Sequence, residues 1–431
     1  MLNSTDIKNT DKMKNIEIKD GVTLHYIEDN KFKTTTFGVY IHRPLCALHA
    51  SENALLPMVL RRGSKNYPTF SDIEKRLGDL CGAQFDAGVA KYGEDQVMSF
   101  VISTVSDKYF AGAENLLDSC ADLLFDIILN PKTENGVFCS EYTESEKRNL
   151  CEMIDALVND KQSYALWRLY EVMCAGEAYG VHEYGTKEAA EKISAAGLYE
   201  HYKKVISESK IDIFVCGNAD IDAFAEYVKE KLDGIKTSCA DYPATEVVRE
   251  AGSITRVTDE FDTSQAKLSL GFRIMRDDIP YAHMLLANSI WGSGPHSKLF
   301  NNVREKLSLA YYAFSRFEKY KQCILVGMGI ETKLYEKAFE ETMRQLENVQ
   351  RGSFGDDELM SAKAFLVNLF QSRKDSQYAM IDFYLSMLIG KDSYDIDGLC
   401  SKIENVSAQQ AADAAKAIVL DTVYFLKGRE V

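Results

Sequence analysis

The pattern of hydrophobic and polar residues predicts a series of strands and helices in the first half of the chain. Short runs rich in β-branched and aromatic residues predict strands at 16–19, 22–27 and 34–42, and a strand pair at 84–91 and 96–104. Apolar residues at helical spacing predict helices at about 52–62, 70–81, 108–129 and 137–175. Short helices follow Gly185, and a buried strand at 210–216 ends in a turn. Such alternation indicates one α+β layered domain.

The second half repeats this order. A strand at 264–274 precedes a helix at 280–290, and a helix carrying Val303, Leu307 and Leu309 comes next. A hairpin at 311–317 and 322–330, two helices at 332–350 and 356–386, and a strand at 421–428 complete it. The motif KQSYA from Lys161 is echoed by KDSQYA from Lys374. We therefore predict two homologous α+β domains at 1–235 and 259–431, each a mixed β-sheet backed by helices, joined by a polar linker at 236–258.

Composition and charge narrow the class of protein. The chain has 431 residues, of which 46% are hydrophobic and 27% charged, as in ordinary globular proteins. Its net charge of −15 disfavours binding to nucleic acid or to an anionic membrane. A polar N-terminus, no membrane span and ten scattered cysteines predict a cytoplasmic protein with reduced thiols.

The segment from Glu52 to Thr69, ENALLPMVLRRGSKNYPT, is an apolar helix that runs into a basic-Gly-Ser turn. It resembles the helix of the pitrilysin-like (M16) zinc peptidases, in which H-x-x-E-H precedes a similar turn; there the histidines bind zinc and the glutamate activates water. Counting back from Gly63, the corresponding residues are Ala54, Leu55, Leu56, Pro57 and Met58. None of these is a zinc ligand, so the resemblance implies a member of the family without the peptidase's metal.

Other candidate ligands do not restore the motif. The sequence His49-Ala-Ser-Glu52-Asn53 has H-x-x-E, but it places asparagine, a poor zinc ligand, at the second histidine and lies five residues too early. We expect these residues to be polar positions of a surface loop before the helix. Downstream glutamates, where the family has its third ligand, are expected to form a solvated helix face; they are Glu141, Glu144, Glu146 and Glu152. No metal site and no cofactor are therefore predicted in this chain.

A second segment retains a family signature. Residues 286–315, LANSIWGSGPHSKLFNNVREKLSLAYYAFS, resemble the M16 C-terminal domain, in which a Gly-rich turn precedes L-F-x-x-x-R-E-x-x-x-L-A-Y. The resemblance assigns substrate binding to Arg304 and Tyr311, which in the family hydrogen-bond the substrate backbone near a zinc held by the opposite domain or subunit. Arg304 paired with Glu305 on a helix surface, and a half-buried Tyr311, is the alternative. Tyr312 competes with Tyr311, because neighbouring residues of a strand face opposite sides.

The Gly292-Ser-Gly294 turn has neither the Lys-Ser/Thr of a P-loop nor G-x-G-x-x-G, and it is predicted to cap a helix. The aromatic stretch 164–179 has helical spacing and is predicted to pack in the core or in a contact between the domains.

One lost and one retained motif together predict a non-catalytic subunit of a bacterial M16 peptidase. It would form a heterodimer with an H-x-x-E-H-bearing partner, or a homodimer without one, and bind peptide in a shared chamber; zinc is expected only in the partner. The main alternative is an M16-like structural or peptide-binding scaffold. A third interpretation is a self-sufficient zinc peptidase, which would require about one zinc per chain.

Overall fold

The computed structural model describes residues 13–112, 115–235, 237, 244–250 and 252–428. The strands are, in chain order, β1 Met13–Lys19, β2 Val22–Glu28, β3 Thr34–Pro44, β4 Gln84–Tyr92, β5 Asp95–Val105, β6 Thr133–Glu134, β7 Val137–Phe138, β8 Ile211–Gly217, β9 Thr255–Phe261, β10 Ala266–Ile274, β11 Tyr312–Glu318, β12 Cys323–Ile330 and β13 Ile418–Gly428. The helices are α1 Ala50–Leu60, α2 Phe70–Asp79, α3 Leu116–Leu129, α4 Ser140–Ala156, α5 Lys161–Met173, α6 Lys187–Glu191, α7 Ala195–Glu208, α8 Ile221–Lys231, α9 Tyr281–Trp291, α10 Tyr335–Gln350, α11 Asp356–Gln371, α12 Gln377–Gly390, α13 Ile396–Glu404 and α14 Ala408–Ala415.

The chain forms two compact units. Unit 1 comprises residues 1–155, 181–244 and 376–395, and unit 2 comprises 156–180, 245–375 and 396–431. The domains predicted from the sequence are contiguous, whereas each compact unit takes one helical segment from the other half of the sequence. The mixed α+β class, with sheets backed by helices, is confirmed.

Unit 1 is built on a six-stranded sheet in the order β1-β2-β8-β3-β5-β4. Strand β2 runs parallel to β8, and β3 is antiparallel to both β8 and β5. All seven residues of β8 are buried, which explains why its sequence is apolar except for Asp212, whose carboxylate pairs with His25, His42 and Lys210. Helices α1 and α3 contribute most of their residues to the core beside this sheet.

Unit 2 is built on a five-stranded sheet in the order β11-β12-β10-β13-β9. The predicted hairpin is confirmed as the antiparallel pair β11 and β12. Strand β9 lies largely inside the predicted linker 236–258, so the linker prediction is wrong for its last residues. The reason is that β9 pairs in parallel with β13, a partner more than 150 residues away in the chain, as the register Thr255 to Thr422 shows.

The segments that each unit takes from the other half of the sequence carry the two exchanged helices, α5 in unit 2 and α12 in unit 1. Each begins at a break that the hydrophobic pattern did not predict. The predicted helix 137–175 is two helices, because the Asp160 side chain accepts hydrogen bonds from the backbone of Gln162 and Ser163 and starts α5. The predicted helix 356–386 is likewise broken, since the Ser376 side chain caps α12. The echoed KQSYA and KDSQYA motifs mark the beginnings of these two helices.

Each exchanged helix packs closely in its unit. In unit 2, a Cβ atom placed on Gly271 of β10 would lie 2.6 Å from Met173 Sδ of α5, so a larger residue there would have to push the Met173 side chain aside. The predicted core role of the aromatic stretch is confirmed for Tyr170 and Tyr179, which are buried. In unit 1, Gln377 of α12 hydrogen-bonds the backbone oxygens of Thr34 and Cys216, at 3.0 and 2.7 Å.

Two other predicted helices change. In the stretch 108–129 a short 3-10 turn at Asp107–Tyr109 comes first, and the α-helix begins at Leu116, where Asn115 caps α3. The helix predicted around Val303 is a π-helical segment, Leu299–Lys306, and Leu307 and Leu309 lie beyond its end. Among the described residues, no helix has the length and apolarity needed to cross a bilayer.

Candidate functional site

Helix α1 occupies the place of the expected zinc helix, and its residues at the motif positions 54–58 are apolar. Ala54, Leu55, Leu56 and Pro57 are buried in the core of unit 1. Together with Met58 they provide no imidazole, thiolate or carboxylate, the donors that a peptidase zinc requires. Positions 54–58 therefore do not fit a zinc ion.

The turn after α1 is held in place by close contacts. A Cβ atom on Gly63 would lie 2.5 Å from the backbone oxygen of Pro68, so no larger residue fits there. The hydroxyl of Ser64 donates to Asp126 at 2.5 Å, and its amide donates to the oxygen of Tyr67 at 2.8 Å. The Gly-Ser turn thus has a structural reason to be kept although the metal ligands before it are missing.

The prediction of a surface loop at His49 to Asn53 is wrong. Helix α1 begins at Ala50, with His49 as its N-cap and Glu52 in its first turn. Ser51 and Asn53 are buried, because the Ser51 hydroxyl lies 3.1 Å from the backbone oxygen of Tyr184 and Asn53 donates to Gln96 at 2.8 Å. These hydrogen bonds hold the first turn of α1 against its neighbours in unit 1.

A histidine of α7 completes a cluster at this end of α1. His49 Nδ1 lies 2.6 Å from Glu52 Oε2, and His201 Nδ1 lies 3.6 Å from the same oxygen. The two imidazole rings stack with centroids 5.0 Å apart. Burial lowers the pKa of His201 to about 4, with a further contribution from His49, so His201 is neutral at neutral pH. Among the described residues, His49, Glu52 and His201 form the one group whose donor atoms could hold a metal ion.

The downstream glutamates do not form a uniformly solvated helix face. Glu146 is buried, accepting from Arg62 at 3.1 Å and from Asn149 at 2.9 Å. The guanidinium of Arg62 in turn lies over the ring of Tyr142. The expectation is therefore wrong for Glu146, which is committed to an ion pair with the basic turn after α1.

Arg304 lies near the end of the π-helical segment of unit 2, with 40% of its side chain exposed. Its guanidinium lies 4.5 Å from the ring centroid of Phe300, and Nη1 is 3.5 Å from Glu305 Oε1. The pairing with Glu305 considered as an alternative is thus present, but as a long surface contact, which is worth little. The Arg304 side chain therefore stays partly accessible to solvent.

Tyr311 and Tyr312 differ in exposure. Tyr311 precedes β11 and is 59% exposed, and its amide donates to the oxygen of Gly329 at 2.8 Å. Tyr312 is the first residue of β11, stacks on Phe314 and lies under the ammonium of Lys267. Burial raises the pKa of Tyr312, as expected of a phenol packed on the sheet. Of the two tyrosines, Tyr311 presents the more accessible hydroxyl.

The Gly-rich turn caps a helix, as predicted. Gly292 is the C-cap of α9, and a Cβ atom there would lie 2.5 Å from the Ser315 hydroxyl. His296 of this turn is packed against its neighbours, because its Nε2 lies 3.1 Å from the hydroxyl of Ser289 and its ring contacts Phe365. The turn is therefore a packed structural element that leads into the segment carrying Arg304.

The sequence did not predict that His201 lies beside His49. A signal was available: Leu198, His201, Tyr202 and Val205 recur at helical spacing and are the buried residues of α7. That pattern places His201 on the apolar face, where a histidine needs a polar partner.

Comparisons with known proteins agree with this architecture. The family model described as Peptidase M16 inactive domain matches residues 192–366. A protein named "Probable inactive metalloprotease YmfF", from Bacillus subtilis (strain 168), is 33% identical over 419 residues, covering 95% of this chain and 96% of that protein.

Solved structures show the same fold. A conserved protein from Enterococcus faecalis V583 superposes with a TM-score of 0.89 at 29% identity, covering 97% of this chain and 99% of that one. A peptidase M16 inactive domain from Pseudomonas fluorescens has a TM-score of 0.79 at 16% identity, covering 97% and 98%.

Two mixed sheets backed by helices, with no zinc ligand at positions 54–58, define a protein of the zinc-peptidase fold that has lost the family's metal motif. The chain belongs to the M16 peptidase family, as an inactive member.

Proposed function

We propose that this protein is the non-catalytic subunit of an M16 zinc peptidase. It pairs with a chain that carries H-x-x-E-H, helps to enclose a peptide chamber, and presents Arg304 and Tyr311 to the substrate. The observation that carries the proposal is the contrast between the two motifs: positions 54–58 are apolar and largely buried, while Arg304 and Tyr311 remain exposed.

The side chains of Arg304 and Tyr311 are of the types that can stabilise the transition state of peptide cleavage. The arginine fork donates charged hydrogen bonds to carbonyl oxygens, and the phenol adds a neutral donor. Donors directed at a developing oxyanion stabilise the transition state by about 3–4 kcal/mol. Because this chain has no zinc ligands at positions 54–58, such donors act in catalysis only if another chain supplies the catalytic metal.

Co-purification tests the pairing. The full chain, tagged and expressed in its native host, is captured and its companions are identified by mass spectrometry, with zinc measured in the eluate. We expect an H-x-x-E-H-bearing M16 chain in about equal amount. A lone chain, or a homodimer that binds peptide without any such companion, would instead support the scaffold alternative.

A further inference from the structure

The cluster at the start of α1 consists of three metal-ligand side chains from two helices of unit 1. His49 and Glu52 come from the first turn of α1, and His201 comes from the middle of α7. One donor atom of each lies within 4.8 Å of the other two. The cluster is separate from positions 54–58, where the family's motif would fall.

A chain of amide hydrogen bonds fixes the tautomer of His201. The amino group of Gln96 donates to the backbone oxygens of Ala50 and Glu183, at 3.0 and 2.6 Å, so its carbonyl oxygen accepts from Asn53 Nδ2 at 2.8 Å. The Asn53 oxygen is then left to accept from His201 Nε2, at 2.7 Å. His201 Nδ1 therefore carries the lone pair, and it faces the Glu52 carboxylate at 3.6 Å.

The separation of His201 from Glu52 suits two ligands of one ion better than a direct contact. His201 Nδ1 and Glu52 Oε2 are 3.6 Å apart, which is too far for a hydrogen bond and close to the spacing of two ligands around one zinc ion. The hydrogen bond from His201 to Asn53 has the form of the outer-shell contact found at metal sites, where the ligating histidine donates its other N–H to a fixed acceptor. Asn53, the residue after Glu52 on α1, thus holds a histidine from another helix.

The required adjustment is small. Zinc bonds of about 2.0–2.1 Å in a tetrahedron place ligand atoms roughly 3.4 Å apart. His201 Nδ1 and Glu52 Oε2 already have nearly that separation, while His49 Nδ1, at 2.6 Å from Glu52, must withdraw by under about 1 Å. The His49 side chain is 38% exposed and can rotate, whereas His201 is buried and fixed.

We propose that His49, Glu52 and His201 bind one zinc-class divalent ion, which ties the N-terminus of α1 to α7. Two imidazole nitrogens and one carboxylate oxygen form a borderline-soft set that suits Zn²⁺ or Co²⁺ and disfavours Mg²⁺. The role is structural: the ion links two helices within unit 1. The site departs from the expectation that the chain binds no metal of its own, and it does not depend on the proposed pairing.

Titration of the metal-stripped full chain with ZnCl₂, followed by calorimetry, tests the site. We expect one equivalent bound per chain and a higher unfolding temperature, and Co²⁺ should give the intense visible absorption of a tetrahedral ion. MgCl₂ should give neither. The absence of zinc binding by the wild-type chain would overturn the proposal.

Variants locate the ion. His49→Gln and His201→Gln should each weaken zinc binding at least about tenfold. The control His283→Gln, at a histidine of α9 in unit 2, should bind as the wild type does. His49 is partly exposed, so His49→Gln should keep the circular dichroism of the metal-free protein. Unchanged stoichiometry and affinity in that variant would contradict the assignment.

Discussion

At the scale of single residues, Arg304 carries most of the proposed function. Replacing it by alanine removes the charged donors while leaving a position that is 40% exposed, so the fold should be unaffected. In the complex with the zinc-bearing partner, we expect Arg304→Ala to lower kcat by about 100-fold or more, the usual effect of losing an oxyanion donor.

The matched control is Arg351→Ala, an arginine of unit 2 whose side chain is 72% exposed and pairs with Glu347. It should leave peptide cleavage unchanged. A second comparison separates the tyrosines: Tyr311→Phe should slow cleavage, and Tyr312→Phe should not. Equal activity of Arg304→Ala and wild type would eliminate the role assigned to this residue.

His42 provides a test of the pH dependence of stability. Burial alone lowers its pKa, but the carboxylates of Asp95 at 2.6 Å and Asp212 at 3.0 Å outweigh burial and raise the pKa to about 9. Asp212 also contacts His25 and Lys210, at 3.0 and 2.8 Å. A raised pKa in the folded state means that the stabilisation is complete below about pH 6.5 and is lost as the pH rises through 9.

The predicted loss of folding free energy from His42 is up to roughly 3 kcal/mol between pH 6 and pH 10. Urea unfolding of wild type and His42→Gln over that range measures it, with the variant expected to show a flatter profile. If both proteins lost the same stability on raising the pH, the charged His42 would not be the cause.

Among the residues, the resemblance to the family's zinc helix was enough to predict the loss of ligands at Ala54 to Met58, because it places the motif at a fixed distance in sequence from Gly63. It could not show the cluster with His201. Asn53 and His201 are 148 positions apart, and only the packing of α7 beside α1 brings them together. The sequence also could not show which of Tyr311 and Tyr312 is accessible, since their exposure depends on where β11 begins.

At the scale of elements, strands were predicted well and helix ends less well. The period-two and continuous apolar patterns located β2, β3, β5, β10 and β12 within a few residues. The apolar periodicity does not predict the breaks at Asp160 and Ser376, because it continues across them, while single N-capping side chains start the next helices, α5 and α12. Strand β9 was missed because its residues are partly exposed and its pairing is non-local.

The exchanged helix α12 leads to a prediction about unit 1. Gln377 accepts from the hydroxyls of Thr34 and Thr36, at 2.7 and 3.1 Å, and donates to two backbone oxygens of β3 and β8. Gln377→Ala leaves these buried groups unsatisfied, which should destabilise α12 and the adjoining strand ends by about 1–3 kcal/mol.

Hydrogen exchange followed by mass spectrometry measures this effect locally. Peptides covering α12, β3 and β8 should exchange faster in Gln377→Ala, and those of unit 2 should not. The control Gln409→Ala removes an exposed glutamine of α14 that bonds only to a side chain of its own helix, Asp413, and should leave exchange unchanged. Uniform protection in both variants would show that Gln377 does not anchor the helix.

At the scale of the whole molecule, the protein keeps the fold of a peptidase family and lacks the metal motif at its usual place. The buried turn residues Gly63 and Ser64, and the ion pair between Arg62 and Glu146, explain why the surroundings of the motif persist without the metal. Arg304 and Tyr311 are more exposed than these residues, and Arg304 contacts Phe300 and Glu305 at the surface, so we propose that both bind substrate.

Reconstitution of peptide cleavage tests the central claim most directly. The purified chain and the H-x-x-E-H-bearing chain that co-purifies with it are assayed separately and mixed, on a fluorogenic peptide. The proposed function predicts little cleavage by either chain alone and strong cleavage by the mixture, abolished by Arg304→Ala. Full activity of the partner without this chain, or cleavage by this chain alone, would contradict it.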